Sequence, residues 1–170
     1  GGDPGFYRKF SSVPSVEPIY ESLKEMKKHN IHVEITNLVI PKIGDSLESI
    51  SSLAEWIAQN LGKDTPLHLL RFNPNYKLES LSSTEISTLE KAHEVARASG
   101  LDYVYLGNVP GHRFENTSCP GCGETVIKRY GFDVVRWNLT DDMRCLKCGR
   151  QIAVKGKFHE KGFSLPYAII

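Results

Sequence analysis

The sequence predicts an α/β protein in two unequal parts: alternating helices and parallel strands that look like part of a larger sheet, followed by a small β zinc ribbon. Three observations carry this expectation. Over the first hundred or so residues, stretches of helical period alternate with short strand-like runs, which implies crossovers into a parallel sheet. From about residue 114 the helical period stops and short alternating strands replace it. The four cysteines of the 170-residue chain all lie in this second part, as Cys119-x2-Cys122 and Cys145-x2-Cys148. The expected division is therefore residues 1–113 for the parallel α/β part, 114–156 for the metal module and 157–170 for an apolar tail.

Each element follows from local chemistry. Ser15 is placed to cap a helix whose apolar face carries Val16, Ile19, Tyr20, Leu23 and Met26. Lys27, Lys28 and His29 suit the negative end of its dipole. Residues 31–40 are β-branched and stop at Pro41; their second half, Leu38, Val39 and Ile40, is continuously apolar, as in a strand covered on both faces. Asp45 and Glu48 have capping-box spacing ahead of a helix with a stripe of Leu47, Ile50, Leu53, Ile57 and Leu61, closed by Gly62. Residues 66–72 form the second strand. A polar loop with Pro74 leads to a helix from Thr84 to Ser99, and residues 101–106 form the third strand.

Three parallel strands are a poor free-standing unit, because the edge leaves backbone groups unpaired. The chain also has no initiator Met; its methionines are Met26 and Met143. Both features suggest the C-terminal part of a larger α/β protein. Alternatively, another copy supplies the missing neighbour and the chain is a homo-oligomer through its open sheet edge.

Composition narrows the function classes. Lys plus Arg is 21 against 20 for Asp plus Glu, a net charge of +1. That balance argues against nucleic-acid binding through bulk positive charge. Arg129, Arg136, Arg144, Lys147 and Arg150 crowd the ribbon and either touch phosphate or form a solvated charged surface among Asp133, Asp141 and Asp142. No apolar run reaches the ~18–20 residues of a membrane helix. The cysteine usage fits a reducing, cytoplasmic compartment, which makes the Asn116 and Asn138 sequons chance matches.

Paired C-x-x-C-G knuckles in an otherwise cysteine-free chain read as a four-cysteine metal site; two disulfides are the alternative. Gly123 and Gly149 follow the second cysteine of each knuckle, where the backbone turns tightly. Four thiolates fit a structural Zn²⁺, and a rubredoxin-like Fe is the competing metal. Such a staple holds a ribbon with too little core to fold alone.

In parallel α/β folds, ligands bind beyond the C-terminal ends of the strands. Those ends carry Thr36 and Asn37, then Arg71 and Asn73, then Asn108 and His112. Arg71, Asn108 and His112 are the candidates for substrate contacts. His29, His32, His68, His93 and His159 share no ligand-like spacing and read as structural or surface residues.

Five strings occur in order: Phe6-Tyr-Arg-Lys, Thr36-Asn-Leu-Val-Ile-Pro41, Arg71-Phe-Asn-Pro-Asn-Tyr-Lys-Leu78, Tyr103-Val-Tyr-Leu-Gly-Asn-Val-Pro-Gly-His112 and Glu115-Asn-Thr-Ser-Cys-Pro-Gly-Cys-Gly123. Together they resemble the C-terminal half of radical S-adenosylmethionine enzymes of the AmmeMemoRadiSam type, related to pyruvate formate-lyase activating enzyme, over residues 6–153. The resemblance implies a partial (β/α)6 barrel in the whole enzyme, of which residues 1–113 would be the C-terminal fragment with parallel strands. There a [4Fe-4S] cluster on an N-terminal C-x3-C-x2-C motif binds S-adenosylmethionine and cleaves it reductively to a 5′-deoxyadenosyl radical, with a protein as one candidate substrate. This chain has no such motif, so no catalytic residue is expected in it and it should be inactive alone. By the same match Thr36, Asn37, Leu38 and Asn73 lie at the cofactor pocket, although the family's Arg and His stand where this chain has Thr36 and Asn73. Two other readings remain: a non-catalytic α/β and zinc-ribbon module binding a protein or nucleic acid, and a rubredoxin-like electron carrier.

Overall fold

The structure is a computed structural model that describes residues 7, 8, 10 and 12–156. The expected tail at 157–170, with His159, lies outside the described residues, as does Phe6.

Helix α1 (Glu17–Lys28) begins with Glu17 and Pro18 in its first turn and ends on Lys27 and Lys28, so the charges at both ends match the dipole. Ser15 accepts a hydrogen bond from the Glu17 N–H at 3.2 Å, although Val16 is the capping residue. Strand β1 (Ile35–Val39) follows, then α2 (Leu47–Asn60). The cap of α2 is Ser46 rather than the expected Asp45: its hydroxyl accepts from the Ser49 N–H at 3.2 Å and donates to Glu48 at 2.8 Å. A serine hydroxyl does both jobs, which a carboxylate cannot. Strand β2 (Leu67–Arg71), helix α3 (Ile86–Ala98) and strand β3 (Val104–Gly107) complete the body.

The three strands are parallel and lie side by side in chain order, β1-β2-β3. Period-2 alternation sorts their side chains. Val39, Leu67, Leu69, Val104 and Leu106 join Ile50, Leu53, Ile57, Leu89, Ala92 and Ala96 in one core, so α2 and α3 cover the same face. The other face has no helix of the described chain on it. Its rows, read from the register, are Thr36–His68–Tyr105 and Leu38–Leu70–Gly107. Strand β1 was expected to be covered on both faces; Leu38 is instead exposed while Val39 is buried.

Thr84 lies before α3, not inside it. Its hydroxyl donates to the Val39 carbonyl at 2.6 Å and accepts from the Phe72 N–H at 2.9 Å. One buried side chain thereby ties together the C-terminal ends of β1 and β2. Burying it there is tolerable only because both its donor and acceptor are used.

Asn37 is the exception in the helix-facing set. It is 2% exposed and its Oδ1 has no hydrogen-bond partner among the described residues. It borders a cavity of about 40 Å³ with Tyr7, Tyr20, Leu23 and Trp56. An unsatisfied buried acceptor costs ~1–3 kcal/mol, so Asn37→Leu is expected to leave stability unchanged or raise it by about 1 kcal/mol. A urea midpoint shifted down by the equivalent of ~2 kcal/mol would show that the amide is in use.

The ribbon comprises β4 (Thr117–Ser118), β5 (Thr125–Tyr130) and β6 (Asp133–Trp137), antiparallel in that order. Its own small core holds Val126, Ile127, Leu139 and Ile152 against Tyr103 of the body.

Candidate metal centre

The two knuckles are built alike. In the first, the Cys119 N–H donates to the Glu124 carbonyl at 2.8 Å and the Gly123 N–H to the Cys119 carbonyl at 2.9 Å. In the second, the Cys145 N–H donates to the Arg150 carbonyl at 2.9 Å and the Gly149 N–H to the Cys145 carbonyl at 2.8 Å. Gly123 and Gly149 both have φ of 74°, a backbone conformation that favours glycine. The expectation for these glycines is met in detail.

The turns bring all four thiols together. The Sγ atoms of Cys119, Cys122, Cys145 and Cys148 lie within 4.8 Å of one another. Cys119 and Cys148 are 3.5 Å apart, and Cys122 and Cys145 3.7 Å apart. A tetrahedral ion with ~2.3 Å metal–sulfur bonds separates its ligands by about 3.8 Å. Disulfides would bring pairs to ~2.05 Å, and all four cysteines are free thiols. The set fits one four-coordinate ion and closes every position on it. The Gly121 N–H, 3.4 Å from the Cys119 sulfur, adds a donor to the thiolate charge.

Electrostatics within the cluster point the same way. At Cys145 the Cys148 backbone leads in lowering the thiol to about 7, with help from Lys147 and the neighbouring sulfurs and against burial. At Cys122 a backbone contact with Glu124 lowers the thiol, but burial and the other three sulfurs outweigh it and push it up to about 12. One thiolate forms readily and its charge opposes the next. A divalent cation removes that opposition.

The ribbon is fastened to the body along β3. Tyr105 Oη lies 3.0 Å from Thr117 Oγ1, the Ala153 N–H donates to Tyr103 Oη at 3.1 Å, and Arg150 reaches Asp102 at 3.4 Å. Arg129 lies over the Tyr105 ring and donates to Thr117 and to the Glu115 carbonyl at 2.8 and 3.1 Å. Arg144 pairs with Asp142 and Lys147 with Glu124. Arg129, Arg144, Lys147 and Arg150, among the basic residues singled out in the ribbon, thus have partners within the chain.

Between the uncovered sheet face and the ribbon lies a cavity of about 520 Å³, with Glu34, His68, Leu70 and Tyr105 on one side and Thr117, Arg129 and Phe132 on the other. The residues expected at a ligand site divide around it. Asn108 lines the cavity; it has φ of 61° at the exit of β3 and donates to the Arg71 carbonyl at 3.0 Å. Thr36 and Leu38 belong to the uncovered face, Thr36 in the same row as His68 and Tyr105. Asn37, placed between them, is turned toward the helices, because neighbours along a strand point oppositely. Arg71 Nε donates to the Thr84 carbonyl at 3.0 Å and Asn73 accepts from Ser83 at 3.1 Å, so both brace the loop before α3. His112 accepts from the Phe114 N–H at 3.2 Å and lies 3.3 Å from Glu90, a capping role. Of the seven, Asn108 and Arg71 are joined by a hydrogen bond, and Thr36 and Leu38 share the uncovered face.

The uncovered face instead joins residues that spacing alone did not link: His32, Glu34 and His68, with Tyr105 stacked on His68 at 5.1 Å. The available signal was the alternation His32-x-Glu34-x-Thr36, which puts the three on one face of an extended run.

No helix among the described residues is long and apolar enough to cross a membrane. No known family model matches the chain. It is similar to an uncharacterized protein of Methanocaldococcus jannaschii, 43% identical over 154 residues, which takes in 90% of this chain and 46% of that relative. The chain therefore spans about half the length of the curated relative it matches.

Proposed function

We propose that this chain is the C-terminal portion of a radical S-adenosylmethionine enzyme of the AmmeMemoRadiSam type, and that its four cysteines hold a structural zinc rather than the radical-generating cluster. The observation that carries this reading is the singly wound sheet: three parallel strands in chain order, helices on one face, and a polar cavity on the other. A barrel segment has this form, with its helices on the outside and its other face turned to the barrel interior, whereas a doubly wound sheet reverses strand order and places helices on both faces. The relative of about twice the length is consistent with further strands beside β1. The four-cysteine set offers no open position where a cofactor's amino and carboxylate groups would chelate, so no step of that chemistry is assigned to it. In the whole enzyme this chain's part is to supply one wall of the barrel and to close its side with the ribbon.

The test compares two proteins under the same anaerobic conditions with dithionite and S-adenosylmethionine. The chain alone, after iron–sulfur reconstitution, is expected to form no 5′-deoxyadenosine above a no-protein control. The complete polypeptide encoded by its gene is expected to form it. Turnover by the chain alone would overturn the division of labour, and a complete polypeptide without a C-x3-C-x2-C motif or cleavage would overturn the enzyme reading. Iron found in the four-cysteine site would favour the electron-carrier alternative.

The same reading leaves β1 with a neighbour on one side only among the described residues. The isolated chain is therefore expected to self-associate through that edge. Sedimentation equilibrium giving a monomer throughout the concentration range would count against it.

A further inference from the structure

The polar end of the large cavity carries a donor set independent of the barrel reading. His32 and Glu34 stand two residues apart in the extended run entering β1, so their side chains share a face. His68 pairs in register with Thr36, two residues beyond Glu34, and lies on that same uncovered face. The Nε2 of His32 is 2.8 Å from one oxygen of Glu34, and the Nε2 of His68 is 2.7 Å from the other. All three residues line the cavity.

Fold stability gives little reason for this arrangement. The Glu34 side chain is 46% exposed and that of His32 43%, and exposed pairs of this kind contribute ~0–1 kcal/mol. Chemically, two imidazoles and one carboxylate are a donor set for borderline divalent cations, leaving the remaining coordination positions to solvent or ligand. With bonds of ~2.1 Å, neighbouring donors on such a cation stand about 3.0–3.4 Å apart. The present nitrogen–oxygen separations are a few tenths of an ångström shorter.

Among the described residues only the cysteines already hold every donor within 4.8 Å of the others. Here the two imidazoles sit on opposite oxygens of one carboxylate, so a cation enters by replacing two hydrogen bonds and drawing both rings to one side. Binding is accordingly weaker than at the cysteines. Burial raises the Glu34 carboxyl, but His32 and His68 outweigh it and hold it below its usual range, so it is ionised at neutral pH. Tyr105, stacked on His68 and tied to Thr117, restrains the His68 ring in the manner of an outer support.

We propose that His32, Glu34 and His68 form a second, exchangeable divalent-cation site of the two-histidine, one-carboxylate type, opening onto the cavity. To test it, the chain is loaded with one equivalent of Zn²⁺ to fill the cysteines and then titrated with Co²⁺. A second equivalent is expected, with weak visible bands, no thiolate-to-cobalt charge transfer, and paramagnetically shifted ring protons from His32 and His68. Glu34→Gln and His68→Gln are each expected to weaken it at least tenfold, whereas His29→Gln, at the surface pair with Glu25, leaves it unchanged. Should His68→Gln fail to fold, the exposed Glu34→Gln decides. Absence of a second equivalent, or one that survives both substitutions as an adventitious surface ion, overturns the proposal.

Discussion

Stripping the metal from the purified chain is expected to erase the ribbon and leave the α/β body folded. The ribbon's core is a handful of residues, among them Val126, Ile127, Leu139 and Ile152, with Cys119 and Cys145 buried at its centre. So small a core does not offset the entropy of ordering some 35–40 residues at ~1–2 kcal/mol each. Structural zinc in comparable peptides supplies ~10–16 kcal/mol, which makes folding and metal binding one event. Cys119→Ser or Cys145→Ser, or a strong chelator, should therefore abolish amide protection across residues 117–152. The body, with Leu67, Leu69, Ile57 and Leu89 in a separate core, should keep its protection. Elemental analysis is expected to give one tetrahedral ion per chain before treatment. Ribbon protection that persists after chelation would show that the staple is dispensable. Because Thr117, Arg129 and Ile152 also line the large cavity, that cavity loses a wall in the same experiment.

The body carries its own acid lability at His93. Its ring lies on Phe114 at 3.6 Å, nearly parallel at 9°, and its Nδ1 has no hydrogen-bond partner among the described residues. Burial is the main cause that lowers its pKa to about 4; Arg97, His112 and Arg113 add to it, and a backbone contact at Val104 opposes them. The unfolded chain takes up this proton near pH 6.5 and the folded chain only near 4. Between those values the unfolded state binds more protons, so stability falls as pH drops through 6.5 and stops falling on this account below about 4. The full depth is about 3 kcal/mol. His93→Gln should remove most of this pH dependence. Denaturant unfolding at pH 7 and pH 4.5, followed by a probe in the body, should show the wild type losing ~2–3 kcal/mol more than the variant. Equal losses would mean that His93 is protonated in the folded protein.

Much of the architecture was legible because its causes are local. The periodicity of residues 47–61 marks a helix and ends at Gly62, and the short apolar runs ending at Val39, Arg71 and Gly107 mark strands, since propensity and burial pattern act over a few residues. The four-cysteine cluster was legible for the same reason: each C-x-x-C-G knuckle is a self-contained turn. Where the cap of α2 fell on Ser46 rather than Asp45, the difference was one position in a loop with both side chains available.

The candidate ligand residues depended on longer-range geometry. Thr36, Asn37 and Leu38 are consecutive, yet strand alternation sends Asn37 into the helix-facing core and leaves its neighbours on the other face. Arg71 and Asn73 were spent on bracing the loop that holds Thr84, through contacts between residues thirteen and ten positions apart. His32 and His68 show the converse, since 36 positions of chain separate side chains that the parallel register of β1 and β2 brings to one carboxylate. By itself, then, the sequence determined the order and kind of the elements and the four sulfur ligands, because short-range sterics and turn chemistry dictate them. The tertiary structure alone decided which face each strand residue serves and which distant polar groups meet, because register and the one-sided covering of the sheet arise only when the helices pack.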